Sequence, residues 1–121
     1  MSNSDINNKK ELEKKISKLK KNLVSIKNEN SQYYIYLPNI ETDYIQKKIS
    51  IENKPYEFEM LKDIQDRVKK DDLVLDIGAN VGNHALYLAA NIGCKVIAFE
   101  PNKDLAKALI KSVDLNNFND L

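Results

Sequence analysis

A chain of 121 residues holds one domain at most, and 42% hydrophobic with 31% charged residues is the composition of a soluble protein. The net charge of +1 argues against a dedicated nucleic-acid binder, and no apolar run approaches the roughly 20 residues that span a bilayer. The N-terminal stretch MSNSDINNKKELEKK lacks the apolar centre of a secretory signal, and Cys94, the single cysteine, can make no internal disulfide, so a cytoplasmic setting is expected.

The charge balance conceals an asymmetry. Residues 1–30 carry eight lysines against four acids, a net of +4, which leaves 11 basic and 14 acidic groups, a net of −3, in the remainder. Residues 1–8 are polar and are expected to be disordered. From Lys9 to Asn28 there is no Gly or Pro, and apolar residues fall at Leu12, Ile16, Leu19, Leu23 and Ile26. The 4-3-4-3 spacing is an a/d seam and predicts one helix over 9–28, a short coiled coil. That stripe is expected either to self-associate or to pack on the globular part.

Residues 31–37, SQYYIYL, alternate and read as a strand stopped by Pro38, with Tyr33, Tyr34 and Tyr36 packing at a sheet edge. Residues 41–51 fit a helix and a strand equally. Pro55 suits a first helical turn, and Phe58, Leu61, Ile64 and Val68 follow at helical spacing, so a helix is predicted over 55–69. A βαβα pattern follows: strand LVLDIG at 73–78, helix 82–92 burying Ala85, Leu86 and Ala89, strand KVIAFE at 95–100, and a helix from Pro101-Asn102 with Leu105, Ala108, Leu109 and Val113 on the sheet. This order implies a parallel pair joined by a right-handed crossover. Cys94 is expected to be a small buried hydrophobe.

All three glycines, Gly78, Gly82 and Gly93, lie in this unit, and two of them bracket the turn Asp76-Ile77-Gly78-Ala79-Asn80-Val81-Gly82. Gly78 has no Cβ to keep a ligand from the backbone. Asn80 tolerates the left-handed conformation. Gly82 opens a helix whose free N–H groups can face a carboxylate, and Asn83 is expected to cap that helix. Asp76 falls at the strand's carboxyl end, where open α/β sheets bind ligands. Glu100 stands 24 residues later at the end of the next strand and can accept hydrogen bonds from both hydroxyls of a ribose. Turn and acid in register on adjacent strands describe a nucleoside site.

The dinucleotide fingerprint G-x-G-x-x-G fails here, because Asn80 and Asn83 replace its second and third glycines. A pyrophosphate needs the close approach that Asn80 would crowd. S-adenosylmethionine (SAM) carries no phosphate; it needs a partner for its ammonium, a pocket for its carboxylate and a ribose acceptor. His84, the single histidine, lies in the first turn of the helix; a structural or SAM-carboxylate role is expected before proton transfer.

VLDIGANVGNHALYLA followed by VIAFEPN resembles the FkbM family of class I SAM-dependent methyltransferases. The resemblance covers residues 55–117 and is strongest over 73–102. It implies a doubly wound α/β fold of Rossmann type. It implies that Asp76 and the turn from Gly78 through Ala79 and Asn80 to Gly82 hold the methionine part of SAM, and Asn83 and His84 beside that turn are counted with the cofactor-binding residues. It implies Glu100 on the ribose, and Pro101 and Asn102 beside the adenine. Such enzymes mostly methylate an oxygen of a sugar or other metabolite, so a small-molecule or glycan acceptor is implied. No metal site and no catalytic residue can be named. Two other readings stay open: a nucleotide-binding module of an oxidoreductase, and a non-enzymatic helical interaction protein with a vestigial SAM half-site.

The expected organisation is a Lys-rich helix over 1–30, a strand-and-helix lead-in over 31–71, and a SAM-binding βαβα half-domain over 72–121. The chain stops where the third strand of that fold would begin. It is therefore expected to be a truncated or split product that transfers no methyl group by itself.

Overall fold

The computed structural model describes residues 2–121. Its elements are α1 (Asn3–Asn22), β1 (Leu23–Lys27), β2 (Gln32–Tyr36), α2 (Tyr44–Glu52), α3 (Phe58–Arg67), β3 (Leu73–Ile77), α4 (Asn83–Asn91), β4 (Lys95–Phe99) and α5 (Lys103–Asn116). β3 and β4 pair in parallel with α4 as the crossover, in the register Leu75↔Ile97, Asp76↔Ala98 and Ile77↔Phe99. This is the pairing that two apolar runs separated by a helix require.

The helix predicted over 9–28 is not formed as one element. α1 begins earlier, at Asn3, because Ser2 and Asp5 close a capping box, so residues 3–8 are helical rather than disordered. It ends at Asn22, and Leu23 and Ile26 belong to β1, which pairs antiparallel with β2 in the register Val24↔Ile35 and Ile26↔Tyr33. Those four side chains are buried. Burying a large apolar side chain is worth about 1.5–3 kcal/mol each, whereas another helical turn in solvent gains only tenths per residue. The hairpin therefore takes the end of the seam, and Leu12 and Ile16 are left exposed on α1. The division at residue 30 consequently falls inside a hairpin.

β2 makes the hairpin part of the globular body. Its outer edge lies along α5, where the Asn116 side chain accepts from Tyr34 N–H (2.7 Å) and donates to Tyr34 C=O (2.6 Å). Ser112 Oγ accepts from Tyr36 N–H at 2.8 Å. Two side chains thus satisfy backbone groups that a third strand would otherwise have taken. α4 packs on β2 and on β4, and its residues Ala85, Leu86, Tyr87 and Leu88 form the centre of the core. Cys94 is buried there as well, and burial pushes its thiol pKa up, so it packs as a hydrophobe rather than reacting as a thiolate.

Residues 44–52 are the helix α2, capped by Asp43 on Gln46 N–H and closed by Asn53 in the left-handed conformation. α3 starts three residues later than Pro55 suggests. The Asn83 side chain holds Tyr56 at both its N–H (2.8 Å) and its C=O (2.9 Å), which keeps 55–57 out of the helix.

Opposite α4, the parallel pair is uncovered. Leu73, Leu75, Ile77, Ile97 and Phe99 all point to that side, and Ile77 is 80% exposed. Along the outer edge of β4, Val96 N–H donates to Asp120 C=O at 2.8 Å. Between that edge and α5 lies a groove of about 500 Å³ lined by Ile97, Leu109, Ile110 and Val113.

Candidate cofactor site

The turn after β3 and the end of β4 are tied together by three hydrogen bonds, and a fourth holds the Glu100 carboxylate to its own segment. Phe99 C=O accepts from Gly78 N–H (2.9 Å) and Ala79 N–H (3.0 Å). Glu100 Oε1 accepts from Asn80 N–H and Glu100 Oε2 from Asn102 N–H, both at 2.8 Å. The two acids expected to read a cofactor therefore stand on neighbouring strands at the same end of the sheet. Each Glu100 oxygen has used one lone pair on the backbone and keeps another for an incoming hydroxyl.

Gly78, Asn80 and Gly82 all have positive φ, at 79°, 56° and 98°. The turn needs three left-handed residues, and the sequence offers two glycines and the side chain that best tolerates that region. Their surroundings differ. A Cβ at Gly78 would meet nothing within 4 Å, so the backbone there is open to a ligand. A Cβ at Gly82 would run into Leu109 Cδ1 and press on Leu86, so Gly82 is fixed by the packing of α5 on the turn.

Asp76 is half-buried, with Oδ2 enclosed and without a hydrogen-bond partner. Burial raises its pKa; a charge on His84 and the Ala85 N–H act in the opposite direction but do not outweigh it. His84 Nε2 is 3.4 Å from Glu57 Oε1, an ion pair only when the imidazole is protonated. Pro101 and Asn102 are exposed beside Glu100. Asn102 caps α5 by accepting from Asp104 N–H (3.0 Å) and Leu105 N–H (3.1 Å).

Asn83 departs from expectation. The N-cap of α4 is Gly82, and no side chain caps the helix. The Asn83 amide is turned away to clamp Tyr56 instead. No side chain caps the first turn of α4, and apart from the Ala85 N–H, which faces the Asp76 carboxyl, its N–H groups suit a carboxylate.

No family model matches the chain, and no curated protein matches it. Two solved structures do. One is the crystal structure of P. horikoshii TYW2 in complex with MeSAdo; the other is a candidate transferase from Pyrococcus horikoshii. Each aligns with a TM-score of 0.55 at 21% sequence identity, over 83% of this chain and 34% of its own. The chain has a partial class I, Rossmann-like methyltransferase fold. It spans about a third of the length of the structures it matches.

Glu57, whose carboxylate approaches His84 at 3.4 Å, is a neighbour of the candidate residues, one that sequence reading passed over. It is the N-cap of α3, makes no side-chain cap, and has φ 58° and ψ 42°. Nothing local signals a glutamate in the left-handed region; it follows from the hold of Asn83, 27 residues away, on Tyr56. Further along, Tyr87 O–H donates to Gln65 at 2.6 Å, fixing α3 to α4. Among the described residues no helix is long and apolar enough to cross a membrane, and no cluster of side chains could hold a metal ion.

Proposed function

We propose that this chain carries the cofactor-binding part of a SAM-dependent methyltransferase of FkbM type, acting on an oxygen of a sugar or another hydroxylated metabolite. The observation that carries the reading is the Glu100 carboxylate, which bridges Asn80 N–H and Asn102 N–H at 2.8 Å each and keeps one lone pair on each oxygen for a further donor. In this reading Glu100 takes the ribose hydroxyls and Asp76 the ammonium. The first turn of α4 takes the carboxylate, and Pro101 and Asn102 flank the adenine. SAM bound there would supply an electrophilic methyl group on sulfur. The chain's own contribution is to hold that sulfonium in place, since alignment with the acceptor oxygen supplies much of the rate. The acceptor class rests on the sequence resemblance.

The dinucleotide alternative is disfavoured by Asn80. Its backbone N–H is already committed to Glu100, and its side chain stands where a pyrophosphate requires glycine. Calorimetry with SAM and with NAD distinguishes the two readings. Saturable SAM binding without NAD binding is expected; NAD binding without SAM binding overturns the proposal.

A further inference from the structure

We propose that Glu57 is a second carboxylate for the ammonium of the cofactor's amino-acid head, placed beside His84 by the Asn83 clamp on Tyr56; this rests on the SAM reading above. The argument begins with the backbone. A non-glycine residue in the left-handed region costs about 1 kcal/mol or more, and at Glu57 no helix cap offsets it. The conformation persists because Asn83 grips both backbone groups of Tyr56. Asn83 is also the first residue of α4, next to Gly82 of the cofactor turn and to His84. One helical turn therefore completes the cofactor loop, presents the imidazole and aims Glu57 at it.

The charges around this point are unequal. Glu57 Oε1 faces His84 Nε2 at 3.4 Å, and His84 in turn lies near enough for its charge to act on the Asp76 carboxyl. Asp76 Oδ2 and His84 Nε2 are both enclosed without a hydrogen-bond partner. One acid thus faces the imidazole and a second feels its charge, and no lysine or arginine is paired with Glu57 or Asp76 among the described ion pairs. An ammonium has three donors, and one half-buried carboxylate leaves some of them unmet. Glu57, whose side chain is 44% exposed and whose backbone follows the clamped Tyr56, is the acceptor beside the same imidazole.

The test compares two ligands on the 121-residue chain: SAM, and methylthioadenosine, which has the same adenine, ribose and sulfur but no amino-acid head. Glu57→Gln is expected to weaken SAM about tenfold, as loss of a charge-assisted hydrogen bond does, and to leave methylthioadenosine within about twofold. Glu57→Gly separates recognition from folding. It relieves the left-handed strain, so its Tm should rise while SAM affinity falls as in Glu57→Gln. If both variants keep the wild-type ratio of SAM to methylthioadenosine affinity, Glu57 does not read the ammonium. Equal weakening of both ligands assigns it a purely structural role and likewise overturns the proposal. A folded wild-type chain that binds neither ligand defeats the SAM reading itself, and this inference with it.

Discussion

Glu100 Oε1 accepts the backbone N–H of Asn80 at 2.8 Å, across 20 residues of chain. The acid at the tip of β4 and the left-handed residue of the β3 turn are therefore one unit: the carboxylate that would read a ribose also fixes the loop that would cradle the methionine. Glu100→Ala should accordingly lose more than its own ligand contacts. SAM affinity is expected to fall at least about tenfold, and by more than in His84→Ala. Calorimetry on both variants checks this, and a greater loss in His84→Ala would mean the ribose has been assigned to the wrong acid.

Asp76 should cost the free chain stability. Its enclosed Oδ2 has no partner, and burial holds its folded pKa above the ordinary carboxylate value. An acid with a raised folded pKa contributes its stability fully below the unfolded value and loses it as pH rises through the folded one. Asp76→Asn is thus expected to flatten that part of the stability–pH profile and to raise stability at neutral pH by about 1 kcal/mol, the low end for an unsatisfied buried acceptor because the residue is only half-buried. That is about 4 °C in Tm for a domain of this size. The same variant should lose SAM binding. Thermal melts from pH 3 to 8 with and without SAM decide it; a destabilised Asp76→Asn at neutral pH would contradict the prediction.

The two turn glycines should fail differently. Gly78→Ala meets only a strained φ and should cost about 1 kcal/mol. Gly82→Ala meets the same strain and also drives a methyl group into Leu109, so about 2–4 kcal/mol is expected. Urea unfolding followed by circular dichroism measures both. Equal losses would show that α5 yields at Leu109 without cost.

The uncovered side of the parallel pair should be visible in solution. Leu73, Leu75, Ile77, Ile97 and Phe99 make a continuous apolar face of a kind that folded chains seldom leave exposed. The 121-residue chain is expected to bind an apolar dye such as ANS in its folded state. The double variant Leu75→Lys with Ile97→Lys should reduce that fluorescence several-fold while keeping far-ultraviolet circular dichroism. Unchanged dye binding would mean that the dye site lies elsewhere on the molecule.

What sequence alone determined is whatever depends on neighbours along the chain. Positive φ at Gly78, Asn80 and Gly82 is a local demand of a tight strand-to-helix turn, and residue type answers it directly. The parallel register of 73–77 with 95–99 follows from two apolar runs and the length of the helix between them. Tertiary structure decided the rest, because there the competing local states were close in energy and distant contacts broke the tie. Leu23 and Ile26 fit a heptad seam and a strand equally; burial of Val24, Ile26, Tyr33 and Ile35 against the helices selected the strand. Asn83 fits a helix cap as readily as a side-chain clamp; Tyr56, brought within 3 Å by the packing of α3 on α4, selected the clamp. Glu57 has no local reason to be left-handed, and that clamp is what sets its carboxylate beside His84.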